Sequence, residues 1–322
     1  MDILNAEEIL ADVISESGFI PTHDPNFRLL EPGNVRGIVA EGMFNDVPSF
    51  LKIIFGKKGR AEIELTDKIH RLLVREHIST PKILMARITN DVAWMIMPAV
   101  EGKRIIEDNY PHSTWPQKAQ TAKAFWLMRK HWPQLEEAKQ TPQNFDPALW
   151  FSKKIIEWGQ IGKQCGAFAR GLMSIEELLQ AHVKIQEIVR CVPNFSMRFT
   201  HGHFSNDEIR VDEEERYWLI DLGHTSWRPD MYDAAFYVWR AGMYSWNFSP
   251  DAWLKELGEW ERAFTSIKDR AQFHANLLER CIGALTVDIG QERGIVASLD
   301  EPKKARLIKN WRTLFLRLLE VA

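Results

Sequence analysis

The residues of this 322-residue chain that could do chemistry gather in one stretch: His201-Gly202-His203, then Glu208, then Asp221. Between the last two lies the acidic run Asp212-Glu213-Glu214-Glu215, which belongs in a loop because adjacent carboxylates resist burial. Ile209 to Val211 then pairs back on Arg216 to Trp218, and a hairpin closed in that register brings Glu208 and Asp221 to the same edge. Two carboxylates side by side repel unless a cation sits between them. Magnesium, which prefers oxygen ligands and often arrives with nucleotide phosphates, would satisfy the pair; a solvated hairpin end is the plain alternative. Gly202 permits a tight backbone path that carries a neighbouring side chain to that edge.

A second charged group stands in an unusual place. Lys52 lies inside the apolar run Phe50-Leu51-Lys52-Ile53-Ile54-Phe55, a strand by its β-branched and aromatic content. A buried amine is costly unless paired, so Lys52 either faces solvent on an edge or holds an anion.

Taken together these residues resemble the phosphate-transfer centre of the aminoglycoside phosphotransferase and choline kinase group. That group carries His-Gly-Asp, an Asn five residues after the Asp, and a second Asp on the next strand. Here His203 occupies the first Asp position and Glu208 the Asn position, while Asp221 matches the second Asp. The segment Arg228-Pro229-Asp230-Met231-Tyr232-Asp233-Ala234-Ala235 is similar to the Asp-Pro-x-Tyr-Asp-Leu-Ala segment that follows the metal-binding strand in the group.

The resemblance implies an α+β, two-lobed, protein-kinase-like fold. A small N-terminal antiparallel-sheet lobe with one helix, residues 1–100, would bind nucleotide. A larger, mainly helical lobe, residues 101–322, would carry the catalytic-loop hairpin and the acceptor site. It further implies ATP and magnesium as cofactors, with Asp221 and Glu208 on the metal and Asp233 bracing the catalytic loop. Lys52 would grip the nucleotide phosphates and pair with an acid on the following helix, for which Glu64 fits the spacing and Asp67 is the alternative. Trp94 to Gly102 looks like the group's hinge, where adenine would donate to the Pro98 carbonyl and accept from the Val100 amide. Gly33, in Pro32-Gly33-Asn34-Val35-Arg36-Gly37, would lie in the loop over the phosphates, although an ordinary β-turn accounts for that spacing equally.

The substitutions bear on mechanism. The Asp of a kinase catalytic loop orients the acceptor hydroxyl and takes its proton. A neutral His203 could do the second task, but phosphates nearby favour its charged form, which binds anions and accepts no proton. Glu208 remains a competent oxygen ligand and restores the negative charge lost at His203. The expected activity is therefore ATP-dependent transfer of the γ-phosphate to a hydroxyl of a small molecule through a non-standard site. A nucleotide-binding pseudokinase, acting on a protein partner as a scaffold or regulator, is the alternative. A metal-dependent hydrolase built on His201, His203, Asp221 and His224 is a third reading, and it leaves Lys52 and Tyr232-Asp233 without a role.

The elements that must position these groups follow from periodicity. After the Lys52 strand, residues 62–77 carry Leu65, Ile69, Leu72 and Leu73 at helical spacing, and Pro81 blocks further helix. Ile83 to Ala86 and Val92 to Met97 read as strands. Beyond Gly102 the pattern becomes helical over 115–135, 155–164, 175–189, 253–267 and 303–321. Most of the thirteen Trp fall beyond residue 110 and serve to pack those helices.

Composition is that of an ordinary globular protein, 45% apolar and 26% charged. A net charge of −3 with dispersed Lys and Arg offers no footprint for nucleic acid. Cys165, Cys191 and Cys281 form no disulfide framework or zinc motif. An acidic amino terminus and the lack of a membrane-length apolar run lead to the expectation of a cytoplasmic protein with no membrane span.

Overall fold

The computed structural model describes residues 2–31, 34–100, 102–105, 113–139 and 146–321. The chain forms two compact units, Met1–Arg104 with Glu208–His224, and Ile105–Asp207 with Thr225–Ala322.

The first unit opens with helix α1 (Ile3–Ser17), which buries Ala6, Leu10 and Val13 at helical spacing. The Asp2 carboxylate caps it by accepting the Asn5 N–H at 2.9 Å, and Gly18 ends it at φ 74. Strands β1 (Ile20–Pro21), β2 (Asn26–Glu31), β3 (Asn34–Phe44) and β4 (Val47–Phe55) follow, then helix α2 (Lys58–Leu73) and strands β5 (Ile78–Ser79), β6 (Met85–Ile88), β7 (Val92–Pro98) and β8 (Lys103–Arg104). An antiparallel sheet runs β1-β3-β4-β7-β6, with β2 also paired to β3.

Alternation along β4 decides which way Lys52 points. Leu51 and Ile53 join Trp94, Ile96, Ala6, Leu10 and Val13 in a core under α1, while Ile54 packs with Ile63, Ala93 and Met95 on the α2 face. Lys52, paired across the ladder with Met95, shares that second face. Helix α2 begins four residues before the expected start at Glu62, because Gly56 turns the chain at φ 79 and Gly59 packs its backbone onto Ala93. It ends at Leu73, before the turn that brings His77 to φ 58.

The second unit supplies α3 (Trp115–His131), α4 (Glu136–Lys139), α5 (Pro147–Gln164), α6 (Ile175–Cys191) and β9 (Met197–Thr200). Pro133 converts the expected continuation of α3 into a 3-10 turn. The chain then crosses to the first unit as the hairpin β10 (Ile209–Val211) and β11 (Tyr217–Leu219); Ile209 stands opposite Leu219, one residue further along than the expected pairing with Arg216 to Trp218, because Arg216 is held in the turn by Asp212. There β11 pairs parallel to β5 and β10 antiparallel to β8. Asp212 closes the turn, accepting the Glu214 and Arg216 N–H groups.

Back in the second unit, β12 (Ser226–Pro229) pairs with β9, and α7 (Tyr232–Gly242), α8 (Pro250–Phe264), α9 (Ile267–Gly283) and α10 (Glu301–Val321) complete the helical body. Helix α8 starts and ends three residues before its expected bounds, capped by the Ser249 hydroxyl. Trp253, Trp260 and Trp311 are fully buried and Trp132 nearly so, which is the packing role expected of them. The buried face of α10 is Leu307, Trp311, Leu314, Phe315 and Leu318. Among the described residues no helix is long and apolar enough to cross a membrane. Removing the Trp311 ring, Trp311→Ala, should cost about 3–5 kcal/mol, read as a lower midpoint in urea unfolding monitored by circular dichroism.

Candidate functional site

The site is built from the β4 lysine outward. Lys52 Nζ lies 2.5 Å from Asp221 Oδ1 and also donates to Glu62 Oε1. All three side chains are nearly buried, with Lys52 and Asp221 each 11% exposed and Glu62 4%. Burial by itself would push the Lys52 amine down, but Glu62 and Asp221 hold it above its ordinary value. Burial likewise works against a charged Asp221, yet Lys52 and then Arg28 pull it far below the usual carboxylate range. Glu62 moves the other way, raised chiefly by burial against the pull of Lys52.

The acid that meets Lys52 is Glu62, neither Glu64 nor Asp67. The buried residues of α2 are Gly59, Glu62, Ile63, Leu65, Thr66, Ile69 and Leu73, and two residues on from Glu62 a helix has turned about 200°. Glu64 therefore faces solvent and pairs with Arg60 at 3.7 Å, while Asp67 pairs with Arg71. A signal for Glu62 was present: it sits three residues before Leu65 and seven before Ile69, so the apolar stripe itself carries a charge that needs a partner. Gly223 accommodates it, since a β-carbon there would lie 2.7 Å from Glu62 Oε2.

Arg28 on β2 is a participant that sequence reasoning missed. Its Nη1 donates to Asp221 Oδ2 at 2.8 Å, so each oxygen of Asp221 meets a cation. Asp221 adopts φ 57, a strained conformation for a residue other than glycine. Lys52, Glu62, Asp221 and Arg28 line a cavity of about 260 Å³.

The hairpin brings Glu208 to the edge at which Asp221 leaves it, for the Ile220 N–H donates to the Glu208 carbonyl at 3.0 Å and Asp221 follows. Glu208 is buried. The donor set does not fit a resident divalent ion: both Asp221 oxygens serve cationic side chains, and among the described residues no three His, Cys, Asp or Glu side chains converge on a metal position.

Pro98 and Val100 line a different cavity of about 800 Å³, walled by Pro81, Lys82 and the β10–β11 turn. Gly33 lies outside the described residues.

In the second unit, the His201-Gly202-His203 loop hangs from Asp233. The carboxylate accepts the His201 N–H at 2.9 Å and the Gly202 N–H at 2.7 Å, with Gly202 at φ 80. His201 is buried and stacks on Trp132, and its Nδ1 receives the His203 N–H at 3.4 Å. The His203 ring lies 5.0 Å from that of Phe236. Asp230, not singled out by the sequence, anchors the same segment: it accepts from Arg129, Arg198 and the Met231 N–H.

No protein-family model matches the sequence, and neither does any curated protein. Solved structures do match over nearly the full length. Aminoglycoside phosphotransferase APH(4)-Ia aligns at a TM-score of 0.58 and 11% identity, covering 96% of this chain and 99% of its own. A thermostable mutant of it, in a ternary complex with ADP and hygromycin B, aligns at 0.57 and 11%, covering 94% and 97%. The amicoumacin kinase hAmiN, in complex with AMP-PNP, Ca2+ and Ami, aligns at 0.57 and 10%, covering 97% and 96%. The chain has the two-lobed, kinase-like α+β fold of these proteins.

Two outcomes follow. Glu62→Gln should destabilise by about 1–3 kcal/mol, since it leaves a buried partner of Lys52 uncharged, whereas Glu64→Gln should stay within about 0.5 kcal/mol; denaturant midpoints compare them directly. Burial, outweighing its two N–H partners, pushes the Asp233 carboxyl from 3.8 up to about 6. A raised acid stabilises the fold fully below its unfolded pKa and loses that contribution as pH rises through the folded one. Melting curves from pH 4 to 7 should therefore show wild type losing stability relative to Asp233→Asn across that window, and parallel curves would refute it.

Proposed function

We propose that this chain is an ATP-dependent phosphotransferase that moves the γ-phosphate to a hydroxyl of a small molecule through a non-standard active site. The observation that carries the reading is the buried triad of Lys52, Glu62 and Asp221. A lysine held charged between two acids, in a cavity with further cations, is a preorganised electrostatic site, and phosphoryl transfer depends mainly on positioning and electrostatics.

The ladder provides the length a nucleotide needs. Met95 stands opposite Lys52 and Pro98 lies three residues further along β7, about 10 Å at the rise of a strand. Adenine at the Pro98 carbonyl and Val100 amide, with phosphates toward Lys52, suits that spacing. The ADP with hygromycin B and the AMP-PNP with Ami in the matched structures point to an adenine nucleotide and a hydroxylated small molecule as the ligand classes to test.

His203 takes the position of the catalytic carboxylate in the motif. As a neutral imidazole it would accept the proton of the acceptor hydroxyl, and as a cation it would bind phosphate. Asp233 acts through the loop backbone, as a positioning residue. A cytoplasmic setting suits the three free cysteines.

A second reading, a nucleotide-binding pseudokinase with a regulatory protein partner, is favoured by Arg28 on Asp221 and by His203 in place of the carboxylate. Calorimetric titration with ATP, paired with ADP release in the presence of hydroxylated acceptors, separates the two. Binding with turnover supports transfer, and binding alone supports the pseudokinase. Lys52→Met should weaken ATP binding by about tenfold or more. A wild-type protein to which ATP does not bind sinks both readings.

A further inference from the structure

Arg28 has no counterpart in the residues that the motif resemblance assigns, yet its contact with Asp221 is a built one. The register between β2 and β3 slips between Arg28 and Leu29, and a bulge of this kind re-aims a side chain. Opposite Arg28 stands Gly37, where a β-carbon would meet the Ile53 carbonyl oxygen at 2.7 Å; the missing side chain lets β3 lie close against the strand that carries Lys52.

The charge balance of the cavity points the same way. Arg28, Arg36, Lys52 and Lys58 line the cavity with Glu62 and Asp221, four positive side chains against two carboxylates, with Arg36 and Lys58 at its exposed rim. An additional divalent cation would enter a site that is already positive and would have to displace Arg28 from its 2.8 Å contact. An anion with several oxygens meets the opposite situation. A guanidinium has five N–H donors, and the contact with Asp221 occupies one of them.

We propose, on the nucleotide-binding reading of this site, that Arg28 takes the place of a divalent metal. It neutralises the second oxygen of Asp221 and turns its remaining N–H groups to the phosphate oxygens, so that polyphosphate binding needs no divalent cation. The ligand class is a nucleoside triphosphate, recognised at this end by its phosphates.

The test is calorimetric titration of the full chain with ATP and with tripolyphosphate, each in EDTA and in excess magnesium. Wild type, Arg28→Ala and Arg28→Gln are compared, with melting temperatures to verify folding; Arg28→Gln removes the charge but keeps part of the stem and a neutral amide donor if the alanine variant does not fold. Wild type should bind ATP in EDTA within about threefold of its affinity in magnesium. Both variants should lose about tenfold or more in EDTA, and magnesium should restore part of the ATP affinity once Asp221 is released. Wild-type ATP binding that appears only with magnesium, or EDTA affinities that neither variant changes, overturns the proposal and leaves the nucleotide reading intact. Tripolyphosphate binding in EDTA without any ATP binding upholds the metal-free anion site and removes the nucleotide. No binding of either ligand in either condition removes both.

Discussion

A lysine amine inside an apolar sheet has to be matched by charge, and that requirement organises the first unit. Lys52 stands on the α2 face of β4, where an unpaired ammonium would cost several kcal/mol. Glu62 and Asp221 meet it, and each imposes conditions on the surrounding chain. Glu62 requires α2 to start at the end of β4 and Gly223 to lack a side chain. Asp221 requires the β10–β11 hairpin to join this unit, and it holds a left-handed backbone conformation to make the contact. Such strain persists only where the surroundings over-determine it, and two cations on one carboxylate supply that determination.

The second unit solves a related problem with the opposite sign. Asp233 and Asp230 are buried carboxylates three residues apart, and their partners differ in kind. Asp230 collects guanidinium groups and is pulled below its ordinary value, burial notwithstanding, by Arg129 and Arg198. Asp233 collects backbone N–H groups and is raised by burial. The first is a structural clamp between β9, α3 and α7, and the second is a hook that fixes the path of the His201-Gly202-His203 loop. Asp233 thus holds the loop through main-chain N–H groups, contacts that do not depend on which side chains stand at positions 201 and 203.

Much of this was legible one residue at a time. The existence of the hairpin, the strand around Lys52 and the packing role of the tryptophans follow from alternation and turn chemistry, which are local properties of the chain, and the support that Asp233 gives its loop follows from the motif resemblance; the hairpin register came out one residue further along. Glu62 was legible in principle, as a charge on an apolar stripe, but spacing alone favoured Glu64, because a sequence does not state where a helix begins to within a turn. Helix α1 was not among the expected elements, although Ala6, Leu10 and Val13 at helical spacing and the Asp2 cap both mark it. Arg28 gave no signal, since a bulge shifts register without altering residue type.

The sequence by itself, through its motif resemblance, determined the fold class and the identity of the lysine and aspartate that meet. Only the tertiary structure decided the partners: Glu62 over Glu64, and Arg28 as the second cation on Asp221. The physical reason is range. Periodicity and turn propensity act over a few residues and do not fix the phase of α2 that brings Glu62, ten positions on, to Lys52, and they carry nothing about a contact such as Arg28 with Asp221, 193 positions apart.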